Sequence, residues 1–355
     1  LNTVVTGTQN TAVGTCALYS STANCGTAVG YQALKNNSTG NKNTAVGRNS
    51  AVNNTSGSDN VAMGFCSAGN NTTGCRNVAI GSCALIANTT GVQNEAMGYL
   101  ALCSNTEGGC NVGIGSALGS NTTGGSNVGI GFIALSNNTT ASNNTAVGKS
   151  ALQENTTGTA NTAIGRESLR SVTDHDNNTA IGMNSGYNNV GANNTYLGRS
   201  AALCGTSGDD NTVVGHNSMC RLTTGAQNVA VGKDALKLNT TGGNNTSFGS
   251  YSGDSVTTGT DNTLIGFNGG HTLTTGDNNV AVGNLAGTDA VLTLSTQDNQ
   301  IVIGNNSNTA AYIKIDWSVT SDLRDKTEIA DVPYGLDFVN QITPIKYKFK
   351  KSREN

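Results

Sequence analysis

The sequence has little charge, few aromatic side chains and almost no proline. Charged residues make up 12% of its 355 positions and aromatic residues 5%, and it contains two prolines and one tryptophan. A net charge of −3 gives the chain no electrostatic attraction for nucleic acid or for an anionic membrane. No apolar run approaches the ~18 residues of a membrane span. We therefore expect neither a nucleic-acid partner nor membrane insertion of this segment.

What the sequence has in abundance is glycine, asparagine and threonine, arranged in a repeat. Residues 43–47 read Asn-Thr-Ala-Val-Gly, and close copies recur along the chain. The spacing of the closing glycine, which we call the marker glycine, is 17 residues, with three steps of 16 and a last step of 21. The marker glycines are Gly14, Gly30, Gly47, Gly64, Gly81, Gly98, Gly115, Gly131, Gly148, Gly165, Gly182, Gly198, Gly215, Gly232, Gly249, Gly266, Gly283 and Gly304. A short fixed period of this kind predicts a repeat architecture over residues 1–304.

Each unit alternates short apolar segments with turn residues. Counting positions from the marker glycine, position −1 is always apolar and position +4 commonly so, as in Val147 and Leu152. An Asn-Thr-Thr-Gly stretch follows, rich in residues that tolerate tight turns. Glycine, asparagine and threonine are too frequent for a helix. We expect two very short extended segments per unit, joined by two turns.

A single unit cannot bury enough apolar surface to offset the entropy of ordering its backbone, about 17–34 kcal/mol at 1–2 kcal/mol per residue. Stacked coils about 4.8 Å apart, paired as in-register parallel strands, solve this problem and give a rod of roughly 85 Å. Asparagine at position −4 in 16 of the 18 units predicts a ladder of amide–amide hydrogen bonds. The marker glycine is expected either to take a positive φ or to allow a close backbone approach at a corner. The fold class is therefore an all-β solenoid of about 18 coils, with one face buried against other chains.

The repeat resembles those of two families of trimeric surface proteins. The string Asn-Thr-Ala-Val-Gly-x-x-Ala-Leu, with residues 30–34 as a close form, is similar to repeats in trimeric autotransporter adhesin heads and in phage tail-fibre shafts. The resemblance implies a left-handed parallel β-roll in which three chains pack their apolar faces together. It also implies a virion or cell-surface location, with a glycan or a protein as receptor.

Nine cysteines lie within the repeats, and eight of them are candidates for disulfides. These are Cys16, Cys25, Cys66, Cys75, Cys103, Cys110, Cys204 and Cys220. Cys204 and Cys220 are 16 residues apart, which places them in adjacent coils. Disulfide staples would suit an extracellular particle. The alternative is that cysteine is only a small core residue in place of alanine or serine. No metal-site spacing occurs, and no metal or cofactor is expected.

The composition changes near residue 305. The last 51 residues hold 15 of the 41 charged residues, both prolines and the only tryptophan. Residues 305–320 contain an alternating pattern typical of a strand, here interpreted as a neck. Residues 321–355 predict a helix over 334–342 and a strand over 345–350, which together form a small α+β segment. With no starting methionine and residue 1 falling in mid-repeat, we expect the chain to be part of a longer protein.

This tail resembles the beginning of the intramolecular chaperone domain at the end of phage tail fibres and endosialidases. The matching strings are Ser-Asp-x-Arg-x-Lys at 321–326, Leu-Asp-Phe-Val at 336–339 and Pro-Ile-Lys-Tyr-Lys-Phe at 344–349. In the family this domain trimerises, guides fibre folding and then cuts itself off. The resemblance implies Ser321 as nucleophile and Lys326 as its base, with cleavage after Thr320. The alternative is that Ser321 only caps the following helix.

Three functions fit the sequence. The first is a structural fibre protein of a phage tail or similar appendage, with a role in host-receptor binding. The second is the head of a bacterial trimeric adhesin. The third is a monomeric solenoid that binds ice or glycan, which would need a flat, uninterrupted threonine array. The only enzymatic activity considered is self-cleavage at Ser321.

Overall fold

The computed structural model describes residues 7–205, 207–289 and 292–310. The chain divides into two units, Leu1–Thr309 and Ala310–Asn355. The described part of the first unit contains 18 strands of three residues each and no helix. The strands are β1 Thr11–Val13, β2 Thr27–Val29, β3 Thr44–Val46, β4 Val61–Met63, β5 Val78–Ile80, β6 Glu95–Met97, β7 Val112–Ile114, β8 Val128–Ile130, β9 Thr145–Val147, β10 Thr162–Ile164, β11 Thr179–Ile181, β12 Thr195–Leu197, β13 Thr212–Val214, β14 Val229–Val231, β15 Thr246–Phe248, β16 Thr263–Ile265, β17 Val280–Val282 and β18 Ile301–Ile303.

Each strand pairs in parallel with the equivalent strand of the next coil. Thr44 lies opposite Val61 and Val46 opposite Met63, and the same register holds from β1 to β18. The result is one 18-stranded sheet along a solenoid of about 17 turns, which confirms the predicted all-β parallel solenoid. The prediction of two extended segments per unit was wrong. The segment around position +4 is a series of turns, although its backbone also bonds to the next coil, for example Leu34 N to Ser50 O at 3.0 Å.

The marker glycines end the strands at a backbone conformation that other residues rarely adopt. Their φ angles lie between 83° and 143°, which confirms the predicted positive φ. Equivalent glycines of adjacent coils also stack closely. A Cβ added at Gly148 would lie 2.6 Å from the carbonyl oxygen of Gly165. Glycine is therefore required here twice, by the dihedral angle and by the close approach of two backbones.

Three further positions per coil are left-handed although they are rarely glycine. Positions −5, +2 and +4 have φ between 45° and 63° in most coils, as in Asn143, Ser150 and Leu152. A left-handed non-glycine residue is uncommon and costs about 1–2 kcal/mol. The solenoid therefore depends on the stacking hydrogen bonds and on core burial to hold three such residues in each turn.

The core is a column of small and medium apolar side chains. Alanine at position −2 is completely buried in ten coils and leucine at position +4 in eight, as in Ala146 and Leu152. Where a large residue replaces alanine, a glycine makes room for it. Tyr196 is at position −2 from Gly198, and a Cβ on Gly186, at position +4 from the preceding marker glycine Gly182, would lie 2.6 Å from its ring. The two positions therefore share one volume, and their sizes compensate.

The asparagines at position −4 form the predicted buried column, with a different main bonding pattern. The Oδ1 of Asn43 accepts from the backbone N of Asn60 at 2.9 Å, and the Nδ2 of Asn60 donates to the carbonyl of Gly74 at 2.9 Å. Direct amide–amide bonds occur in some coils, as from Asn94 to Asn77 at 3.2 Å. These side chains therefore satisfy mainly the backbone at the entrance to each strand.

A continuous amide–amide ladder exists in a second column, made by the first asparagine of the Asn-Thr-Thr-Gly turns. Each Nδ2 donates to the Oδ1 of the preceding coil at 2.6–3.0 Å from Asn54 to Asn155. The next coil has Val172 at this position, and the buried Oδ1 of Asn155 has no partner. The ladder thus ends where an apolar residue interrupts it.

The 21-residue step is an insertion that leaves the stack intact. Val282 pairs in register with Ile303, as in the shorter coils. Within the step, Thr288 and Thr293 form an isolated antiparallel bridge. The additional residues are therefore accommodated outside the strand, and the sheet continues past them.

Replacing Tyr196 with phenylalanine should remove a pH dependence of stability at alkaline pH. Tyr196 is completely buried, and its hydroxyl donates to the Oδ1 of Asn189 at 3.0 Å. Burial, assisted by the negative charge of Asp209, raises the pKa of the Tyr196 phenol far above its ordinary value. The unfolded chain releases this proton near pH 10 and the folded chain keeps it, so stability falls as pH rises above 10. The wild type should lose about 1.4 kcal/mol relative to Tyr196→Phe between pH 9 and pH 11.

The measurement is the free energy of unfolding of both proteins at the two pH values and at one protein concentration. Ionisations that the two proteins share cancel in the comparison. Equal losses in the two proteins would contradict the assignment.

Candidate functional site

The outer face of the sheet is the surface with the most regular exposed pattern. In β9, Ala146 points into the core and is completely buried, whereas Thr145 and Val147 are partly exposed. Since side chains alternate along a strand, positions −3 and −1 share the outer face in every coil. In-register pairing then lines up each position into a column along the solenoid.

The column at position −1 is apolar throughout. None of its residues is buried; Ile80 is 38% exposed and Phe248 57%. Its members are Val13, Val29, Val46, Met63, Ile80, Met97, Ile114, Ile130, Val147, Ile164, Ile181, Leu197, Val214, Val231, Phe248, Ile265, Val282 and Ile303. At a coil spacing of about 4.8 Å this column, which we call the apolar row, is about 80 Å long.

The neighbouring column at position −3 is of mixed polarity. It has ten threonines, six valines, Ile301 and a single charged residue, Glu95. With a strand width of about 10 Å, the face covers on the order of 800 Å². A standard protein interface buries about 800 Å² per partner, so the face as a whole has the size of an interface. The six valines also interrupt the threonines, so this face is not the uninterrupted array expected of an ice-binding solenoid.

The column at position +1 borders the apolar row on the far side of the marker glycine. It is aromatic in every second coil from Tyr31 to Phe132, several of the residues from Lys149 to Lys233 are basic, and it contains no acidic residue. Its members are Thr15, Tyr31, Arg48, Phe65, Ser82, Tyr99, Ser116, Phe132, Lys149, Arg166, Met183, Arg199, His216, Lys233, Ser250, Phe267, Asn284 and Asn305. The guanidinium of Arg48 lies 5.9 Å from the ring centre of Tyr31 and 5.8 Å from that of Phe65.

The cysteines are free in the structure, and all nine are partly or fully exposed. The backbone N of Cys204 donates to the carbonyl of Cys220 at 3.1 Å, which confirms that these two lie in adjacent coils. Burial raises the pKa of the Cys220 thiol, with the neighbouring Cys204 adding to the shift. The disulfides proposed for the eight cysteines stay predictions.

Cys25 and Cys75 lie the same number of residues after a marker glycine, but they are not equivalent in conformation. Cys25 is left-handed with φ 57°, whereas after Gly64 the left-handed position belongs to Arg76, one residue beyond Cys75. The cause is the 16-residue first step, which moves Cys25 one position closer to the next marker glycine. The pairs Cys16/Cys25 and Cys66/Cys75 therefore differ in geometry.

The residues predicted for self-cleavage, Thr320, Ser321 and Lys326, lie outside the described residues, as do the helix predicted over 334–342 and the strand over 345–350. Within the described ranges, no group of three His, Cys, Asp or Glu side chains could hold a metal ion. The same ranges contain no helix with the length and hydrophobicity of a membrane span.

Comparisons with known proteins do not assign a function to this chain. No protein-family model, curated protein or solved structure matched this chain.

Proposed function

We propose that this chain is the shaft of a homotrimeric fibre of a phage tail or similar appendage, with a receptor-binding role. The observation that carries the proposal is the apolar row: eighteen consecutive coils present a large apolar side chain on one exposed sheet face. A surface this long and this apolar favours burial against other copies of the chain. Since every copy has the same coil spacing, parallel chains keep their rows in contact over the whole length.

The C-terminal sequence supports the fibre over the other functions considered. Residues 321–349 resemble the beginning of a chaperone domain, whose family role is to trimerise and to guide the folding of a β-structured fibre. A trimeric adhesin head could share the repeat, but this tail favours a phage-type appendage. The location that follows is a virion or a cell surface.

Native mass spectrometry of the full chain, with a denatured sample alongside, tests this proposal. We expect three copies of a 35.9 kDa chain. If the denatured chains end at Thr320, the chaperone segment cleaves itself, and Ser321→Ala should restore the longer chain. Full-length chains in the trimer would instead indicate an uncut chaperone segment. A monomer would contradict the proposed fibre and favour the monomeric solenoid that binds ice or glycan.

A further inference from the structure

A row of exposed aromatic rings follows the first half of the solenoid at position +1. Tyr31, Phe65, Tyr99 and Phe132 are 46%, 47%, 64% and 60% exposed. They occupy every second coil, with Arg48, Ser82 and Ser116 at the same position in the coils between them. We call these four residues the aromatic row.

The backbone keeps these rings on one line at a constant pitch. The strands from β2 to β8 pair in register without interruption. Two coils therefore separate successive rings by about 9.6 Å. Stability does not require this arrangement, since the core is filled by alanine and leucine from other positions.

The residues between the rings are suited to polar contacts. The guanidinium of Arg48 packs against both Tyr31 and Phe65, which orders those two rings and leaves a charged group between them. The Ser116 hydroxyl donates a hydrogen bond to the carbonyl oxygen of Tyr99 at 3.0 Å. Its own oxygen can still accept hydrogen bonds. A ligand that follows the row would thus meet a flat apolar surface and a polar group in alternation.

We propose that the aromatic row binds a linear polysaccharide of extended, β-1,4-linked sugars. A pyranose ring has a flat face of C–H groups that stacks on an aromatic ring and a rim of hydroxyls that binds polar side chains. In an extended β-1,4 chain, successive sugars are flipped, so the same face returns once per disaccharide. The length of a disaccharide in such a chain is close to the two-coil pitch of the row. This proposal names the receptor chemistry of the proposed fibre, and it needs only that the row stays exposed in the assembly.

The test is titration calorimetry of the full-length protein with cellohexaose, chitohexaose and mannohexaose. We expect binding to at least one of them. Replacing one ring, as in Tyr99→Ala, should weaken that binding about two- to tenfold, the usual contribution of an aromatic contact. Phe267→Ala is the matched control, because Phe267 has the same position and is 52% exposed but lies far from the row. It should leave the affinity unchanged.

A second variant tests the spacing itself. Combining Tyr99→Ser with Ser82→Tyr keeps the composition of the column but places the ring one coil from Phe65 and three coils from Phe132. We expect the same loss as in Tyr99→Ala. Absence of binding to all three hexasaccharides, or binding that the exchange leaves unchanged, would overturn the proposal.

Native mass spectrometry of each variant separates this proposal from that of the trimer. The wild-type mass alone decides whether the chain is trimeric. The aromatic-row variants should have the same assembly mass as the wild type. A lower mass in those variants would show that the rings contact a neighbouring chain, and it would overturn the polysaccharide site while leaving the trimer in place.

Discussion

Replacing Ile130, Val147 and Ile164 with aspartate should give a chain that folds but no longer assembles. These residues form three consecutive rungs of the apolar row, and none of them belongs to the buried core. In a trimer that buries this face, nine carboxylates would be removed from water without a partner, each at a cost of several kcal/mol. The expected result is a monomer by light scattering and native mass spectrometry, with the β-sheet circular dichroism of the wild type.

The matched control places the same charges on the same region of the solenoid, away from the apolar row. Thr123, Thr140 and Thr157 are exposed and stack in one column of turns, where other coils already carry Glu107 and Asp174. Their aspartate variants should assemble as the wild type does. If the apolar-row variant also stays trimeric, the outer sheet face is not the interface and chain association must use another surface.

Substituting alanine for one marker glycine should destabilise the stack far more than an ordinary glycine substitution. Gly148 has φ 132°, and its added Cβ would lie 2.6 Å from the carbonyl oxygen of Gly165. For alanine, this dihedral angle alone costs about 1–3 kcal/mol. The added Cβ also contacts backbone atoms, which cannot rotate away as a side chain can. We expect Gly148→Ala to lower the opening free energy of the adjacent coils by about 3 kcal/mol or more.

Hydrogen exchange resolved to individual coils is the suitable measurement, because repeat proteins open locally. Gly119→Ala is the control, since a Cβ at Gly119 has no atom within 4 Å and needs no left-handed backbone. It should change exchange little. Similar exchange rates in the two variants would show that the stack adjusts around the marker glycine.

The sequence predicts the repeat, the parallel register and the buried asparagines because each of these depends on periodicity alone. Once Asn60 and Asn77 occupy the same position in identical units, stacking places them next to each other whatever the details of the coil. The same holds for the marker glycines and for the leucines at position +4. The sequence also predicts that the apolar residues at position −1 form a column. Only the structure shows that this column faces outward.

What periodicity does not give is the conformation within a coil. Ser150 and Leu152 are left-handed, although neither residue type favours that region. Glycine at the same position in some coils, such as Gly186 and Gly253, was the available signal. The left-handed turns also explain why the second predicted strand does not form. Whether an asparagine bonds to its own kind or to backbone depends on the angle of each turn. The predicted amide ladder at position −4 is therefore present in only part of the column, for example from Asn194 to Asn262, and the sequence did not indicate the second ladder in the turns.

In-register stacking also has a consequence for the gene. Each coil contacts only its neighbours, so gain or loss of 17 codons between equivalent positions changes the length of the solenoid by one coil and leaves the outer face continuous. Loss of eight codons would turn the apolar row away from its face. Pairs such as Gly186 with Tyr196 and Gly253 with Leu264 are exceptions, because recombination between their members would separate the large residue from the glycine that makes room for it. The length of such a protein can therefore change in whole steps by recombination, with breakpoints excluded between the members of such pairs.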